Sequence, residues 1–244
     1  DGQTVTGLSQ SGITKRAVNK DLVIPDFNKD GMYVTAIADA QAGGNGLFAS
    51  AEEGFDSVYL PARLQKIGNS AFQNNGLKEV TFPARLSEIG NSAFQTNDLT
   101  SVILPDTVTK LGKGAFATNA KLERINLSKG LTEIPDGAFG CSDAKNYMTN
   151  LKSITIPEGI TKIGKRAFAG NNFAEIKLPS SMKEIGDYAF STKNYLSDPC
   201  TLTLNEGLTV IGDNAFRNKV IGEVTLPVTV EKLKKNTFRK EYSD

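Results

Sequence analysis

Residues 61–73 read PARLQKIGNSAFQ, and residues 83–95 read PARLSEIGNSAFQ. A phrase that returns almost unchanged after 22 positions is the mark of a repeat architecture, so the search widens to the whole chain. Looser copies begin at 104 (LPDTVTKLGKGAF), 156 (IPEGITKIGKRAF), 178 (LPSSMKEIGDYAF) and 204 (LNEGLTVIGDNAF). The closing Phe falls at 72, 94, 116, 139, 168, 190, 216 and 238. Counted from the Pro slot, an aliphatic residue or Met stands three positions on, Ile or Leu six on, and Phe eleven on. A register held this strictly predicts a solenoid, in which each unit buries its apolar face against the next.

Before each Pro slot lies an alternating stretch such as Ser101-Val102-Ile103-Leu104. Val102 and Leu104 share one face, Ser101 and Ile103 the other, which is the period of a half-buried strand. Stacked units pair such strands in parallel at about 4.8 Å. Pro ends the strand because it has no N–H for the ladder. The phenylalanines form a continuous core spine. Gly follows the second Ile or Leu in most units (Gly68, Gly90, Gly112, Gly164, Gly186, Gly212), but Pro135 takes that slot once. Pro requires φ near −65°, so the slot calls for close approach of neighbouring backbone and not for a left-handed residue.

Leu22-Val23-Ile24-Pro25 opens a degenerate zeroth unit, resumed at Ile37-Ala38 across the turn-like Asn28-Lys29-Asp30-Gly31. At the other end Lys232, Lys235, Arg239 and Lys240 charge the last unit, as expected of a capping repeat.

Composition narrows function. The 244 residues carry 28 Lys+Arg against 27 Asp+Glu, which argues against binding nucleic acid or an anionic membrane through bulk charge. No apolar run approaches the roughly 18 residues of a membrane span. Histidine is absent, removing the usual general base and the commonest zinc ligand. A carboxylate pair can still hydrolyse glycosides. Here, however, Glu88, Asp106, Glu133, Asp136, Glu158, Glu184, Asp187 and Asp213 are scattered over turn positions with no aromatic pocket around any two. No calcium-loop spacing occurs either. The reading is a non-enzyme without metal or cofactor. The chain opens on Asp1 without an initiator Met or leader, so it reads as a segment of a longer protein.

The full pattern, L-x-x-[IV]-x-[LI]-P-x-x-[LVI]-x-x-I-G-x-x-A-F, resembles the BspA-like leucine-rich repeats of bacterial surface proteins over about residues 47–240. The resemblance implies an α/β, right-handed leucine-rich repeat solenoid with a parallel concave sheet, of about eight repeats. Residues 1–46 would be the cap and 47–244 the repeat domain, in one structural unit. It also implies a monomeric, secreted module on the bacterial cell surface that binds host or matrix proteins. One departure stands out. The family often places Cys three residues after the Phe, whereas Asn75, Asn97 and Asn119 stand there in this chain.

Two surfaces are candidates for binding. The outward strand residues are mostly small and hydroxylated, but Tyr59 and Arg124 are of hot-spot type, with Ile103, Glu175 and Lys177 beside them. The second candidate is a pair of breaks in the rhythm, AKNYMTN (144–150) and TKNYLSD (192–198), which fall on the same rim and carry Tyr147 and Tyr195. The alternatives are a retained duplicated insert, a glycan-binding module that stacks sugars on these tyrosines, and a rigid spacer between other domains. Cys141 and Cys200 bracket the breaks. Regular coils two steps apart are too distant for a disulfide, and two free thiols or a bridge through the first break both remain open.

Overall fold

A computed structural model describes residues 4–5, 20–40, 46–48, 54–140, 151–192 and 199–239. The chain winds into a parallel β-solenoid of about seven turns. Each coil contributes two short strands to two separate ladders. The first ladder is the one the alternation predicts. It comprises Asp21–Val23, Ser57–Tyr59 and Glu79–Thr81, then Ser101–Ile103 with Arg124–Asn126, then Glu175–Lys177 with Pro199–Thr203 and Val220–Ile221. All pairs are parallel, with interruptions between Thr81 and Ser101 and between Asn126 and Glu175. All but that of Val220–Ile221 keep the repeat register, for example Val58↔Val80 and Val102↔Ile125.

The second ladder runs through the Ile-Gly phrase, with strands such as Lys66–Ile67, Glu88–Ile89 and Lys110–Leu111, and later Glu133–Ile134 to Lys232–Leu233. Its outward column reads Lys66, Glu88, Lys110 and then Glu133, Lys162, Glu184. The alternating signs face one another across strands, with Lys66–Glu88 at 3.1 Å and Lys162–Glu184 at 3.2 Å. The ladder breaks between Lys110–Leu111 and Glu133–Ile134. Pro135 is the cause. In other coils the Gly of this slot donates its N–H to the preceding coil, as Gly90 does to the Ile67 carbonyl at 2.8 Å, and Pro has no N–H to give.

No helix occurs among the described residues, so the expected α/β class is replaced by an all-β solenoid. The back of each coil is tight turn, and the reason is local. Left-handed residues bracket the Ala-Phe pair, as with Ser70 (φ 53°) and Asn74 (φ 55°), or Ser92 (φ 52°) and Thr96 (φ 57°). Left-handed residues cannot continue a right-handed helix. The N–H groups of Ser70, Phe72 and Asn74 instead donate to the carbonyls of Asn91, Ala93 and Gln95 in the next coil, at 2.8, 2.8 and 2.9 Å.

The left-handed site lies two residues beyond the Gly slot, so the slot itself needs room and not φ. A Cβ on Gly90 would stand 2.6 Å from the Asn69 nitrogen, and on Gly112 2.3 Å from the Asn91 nitrogen. Behind the turns the phenylalanine rings stack from Phe48 to Phe238 at centroid spacings of 5.0 to 5.6 Å. Phe48 carries this spine into the zeroth unit, one ring earlier than the repeat count indicates.

The eighth unit is incomplete. Val220–Ile221 pairs with Pro199–Cys200, while Glu223 to Leu226 join no strand. The outward strand expected at 223–225 is therefore absent. Leu233 occupies the slot of the buried Ile residues but is 47% exposed, and Val228 is 95% exposed beside the charged residues of the last coil.

Candidate functional site

Along each strand of the first ladder alternate residues point inward and to solvent, the first and third of each three-residue strand outward. Val58, Val102 and Ile125 are buried, whereas Tyr59 is 59% and Ile103 53% exposed. Cross-strand register sets Val23, Tyr59 and Thr81 side by side on one column, and Ile103 beside Asn126 further along it. Val23 is 65% exposed. Arg124 is exposed on the parallel column, paired with Ser101. Glu175 and Lys177 belong to the same strip but several coils away, where Lys177 neighbours Thr155 and Thr203. The strip is thus apolar at its N-terminal end and polar at the other.

The zeroth unit adds a feature that repeat counting passes over. Residues 26–34 fold into a hairpin in which Val34 N–H donates to the Asp26 carbonyl and Asn28 N–H to that of Met32, both at 2.8 Å. The Asn28 carboxamide oxygen accepts the N–H groups of Asp30 and Met32, closing the turn. The Phe27 and Tyr33 rings meet at 4.5 Å, tilted by 33°, and the Arg63 guanidinium lies 3.6 Å over the Tyr33 ring. Asp26 accepts the Ala62 N–H, which fixes the hairpin to the turn after Pro61. Phe27, Met32 and Tyr33 remain exposed. Two apolar residues flanking Asn28-Lys29-Asp30-Gly31 were the available signal in the sequence.

Tyr147, Tyr195 and Cys141 lie outside the described residues. Cys200 is a buried free thiol whose pKa burial raises. Nearby, Lys219 is 4% exposed, in the slot that Asn fills elsewhere. Its ammonium donates to the Asn171 carbonyl at 2.6 Å and lies 5.4 Å from the Phe173 ring centre. Burial pulls its pKa down to about 8.

The Asn slot itself is structural. Asn97 Nδ2 donates to the Phe72 and Phe94 carbonyls at 2.8 and 3.0 Å, and its Oδ1 accepts the N–H groups of Asn75 and Leu77. Asn119 and Asn171 repeat the two donor bonds to Phe carbonyls, and the Asn119 oxygen accepts the Leu99 N–H.

The carboxylates are likewise engaged in holding coils together. Backbone N–H groups hold Asp106 (from Lys129) and Glu158 (from Ser180) below their ordinary pKa. At Asp136 and Asp187 burial pushes upward. The Lys165 N–H and Lys113 ammonium at Asp136, and the Asp213 N–H and Lys234 ammonium at Asp187, outweigh it. A hydrolytic acid needs the opposite shift. Among the described residues no three potential ligands gather for a metal, and no helix is long and apolar enough to cross a membrane.

Two solved structures share this architecture. A leucine-rich repeat protein from Bacteroides ovatus aligns over 80% of this chain at 23% identity with a TM-score of 0.55. The pneumococcal vaccine antigen PcpA aligns over 94% at 22% identity with a TM-score of 0.59. The chain spans 54% and 65% of the lengths of those two proteins. No curated protein sequence matches it. The family model of the BspA-type leucine-rich repeat region matches residues 44–148 and 142–243, and the chain belongs to that family.

Proposed function

We propose that this chain is a non-catalytic protein-binding module, one part of a longer secreted protein shown on the bacterial cell surface, and that its partner is a host or matrix protein. The observation that carries the reading is the exposed Val23–Tyr59 pair in ladder register, with exposed Ile103 at the same strand position two coils on. Apolar side chains set in register on a solvated sheet face have no folding role, and such patches mark interaction sites. Arg124 and the Phe27–Tyr33–Arg63 cluster extend the contact zone, with Glu175 and Lys177 at its polar end. Tyr147 and Tyr195 are a secondary candidate rim. The repeat region from 47 to 244, capped by 1–46, acts as one unit in this reading. Membership of a family of binding and structural repeats supports it, as does the likeness to a vaccine antigen.

The test replaces Tyr59 with benzoylphenylalanine and irradiates the chain with host serum and matrix proteins, alongside a glycan array. Crosslinking to a discrete protein, weakened about tenfold or more in Tyr59→Ser/Ile103→Ser at unchanged melting temperature, is the expected result. Binding to glycans alone overturns the reading in favour of sugar recognition. Binding to neither leaves a spacer between domains.

A further inference from the structure

We infer that the apolar column receives an amphipathic α-helix of the partner protein, laid along the solenoid axis; the inference rests on the protein-binding reading above. From Asp21 to Thr81, and again from Ser101 to Asn126, the strands of this strip are paired side by side, so the sheet face offers a partner side chains and not a strand edge. Spacing then discriminates between occupants. Column residues step by about 4.8 Å per coil. One turn of helix advances about 5.4 Å, whereas same-face residues of an extended strand repeat at about 6.6–7 Å. Val23 and Tyr59 are one step apart, and Ile103 lies two steps further. Three steps make about 14 Å, which is the length of nine to ten helical residues. Thr81 is short and sits between Tyr59 and Ile103, leaving a notch for one apolar knob of the helix.

Charge supplies the orientation. On the side of the strand starts lie Asp21 and Glu79, with Arg124 one coil past the end of the column. On the side after the Pro slot lie Arg63 and Arg85, with Asp26 held by the Ala62 N–H. Asp21 already accepts the Ser57 hydroxyl, and Arg63 already covers Tyr33. Glu79 and Arg85 make no ion pair among the described residues and face solvent. The complementary helix therefore carries apolar residues at i, i+3 or i+4, and i+7, with basic side chains on the flank facing Glu79 and acidic ones on the flank facing Arg85. The Phe27–Tyr33 pair walls the Arg side at the N-terminal end.

The test selects unpatterned displayed segments of about 14 residues on the whole chain, with Tyr59→Ser/Ile103→Ser for counter-selection. Both replaced side chains are exposed, and a melting curve verifies the variant's fold. The expected binders show the helical apolar period with opposite charges on the two flanks, gain helical circular dichroism on binding, and bind the double variant about tenfold more weakly. Arg85→Glu should weaken them severalfold, and exchanging the flank charges should recover the loss. Binders with a period of two, binders indifferent to Tyr59 and Ile103, an empty selection, or a Tyr59-dependent dimer in sedimentation overturn the inference. Crosslinking from position 59 to a non-helical protein segment would sink the helix while leaving the protein-binding reading intact.

Discussion

The Lys219 ammonium lies 2.6 Å from the carbonyl oxygen of Asn171, two coils back, and almost nothing of this lysine reaches solvent. Its pKa of about 8 stands below the ordinary 10.5 because burial disfavours the charged form. Between pH 8 and 10.5 the unfolded chain thus holds a proton that the folded chain has released, and stability rises with pH across that window. Below pH 8 the full cost is present, on the order of 3 kcal/mol.

Lys219→Met should therefore raise the melting temperature at pH 7 and flatten its rise between pH 8 and 10. Melting curves of both proteins across that range decide the matter. A parallel pH profile in the variant would show that other groups govern it.

Asn97 joins four backbone groups of two coils, two as donor and two as acceptor. Asn97→Ala should cost about 3–5 kcal/mol, since each orphaned buried group costs about 1–3. The exposed Asn91 side chain accepts the Lys113 N–H, and Asn91→Ala should cost about 1 kcal/mol or less. Urea titration of the two variants measures the gap. Equal losses would mean that the buried ladder relaxes around the missing amide.

These two buried side chains also mark how far the sequence could be read. The Phe register, the inward Val58 and Val102, and the outward Tyr59 and Ile103 all follow from spacing alone. The Asn slot was visible as a departure from the family, but its bonds to Phe carbonyls depend on the left-handed turn around Ala-Phe. That turn also removed the expected helix, because residues such as Ser70 and Thr96 give no hint of positive φ by type. The second ladder escaped notice because a two-residue strand like Lys66–Ile67 is too short to display alternation. In the last unit, pairing of Val220–Ile221 with Pro199–Cys200 overrode the repeat register at 223–225. The Phe27–Tyr33 hairpin is an insertion whose packing against Arg63 is a tertiary fact.

Asp187 links three coils, accepting the Asp213 N–H at 2.8 Å and pairing with Lys234 at 3.1 Å. Its folded pKa lies below 3.8, so the stability it contributes is present above the unfolded value and is lost as pH falls through the folded one. Asp187→Asn keeps the acceptor for Asp213 but discards the charge. Unfolding midpoints at pH 6 and pH 3 should differ less in the variant than in the parent. An unchanged difference would assign the acid sensitivity to other carboxylates.

Two glycines separate the claims of space and of conformation. Gly90 has no positive φ, but a Cβ there would stand 2.6 Å from the backbone nitrogen of Asn69, a contact that no side-chain rotation relieves. Gly137 has φ 64°, and its Cβ would meet nothing nearer than 3.9 Å. Gly90→Ala must push two coils apart, across the very bond that Gly90 N–H makes to Ile67, and should cost about 3 kcal/mol. Gly137→Ala meets only the left-handed penalty, about 1 kcal/mol. The order is the informative quantity, because a turn governed by φ alone would reverse it. Thermal unfolding of the two alanine variants reads that order directly. If Gly137→Ala proves the worse, close approach is not what fixes glycine after the second Ile, and the coils have slack that the ladder distances do not show.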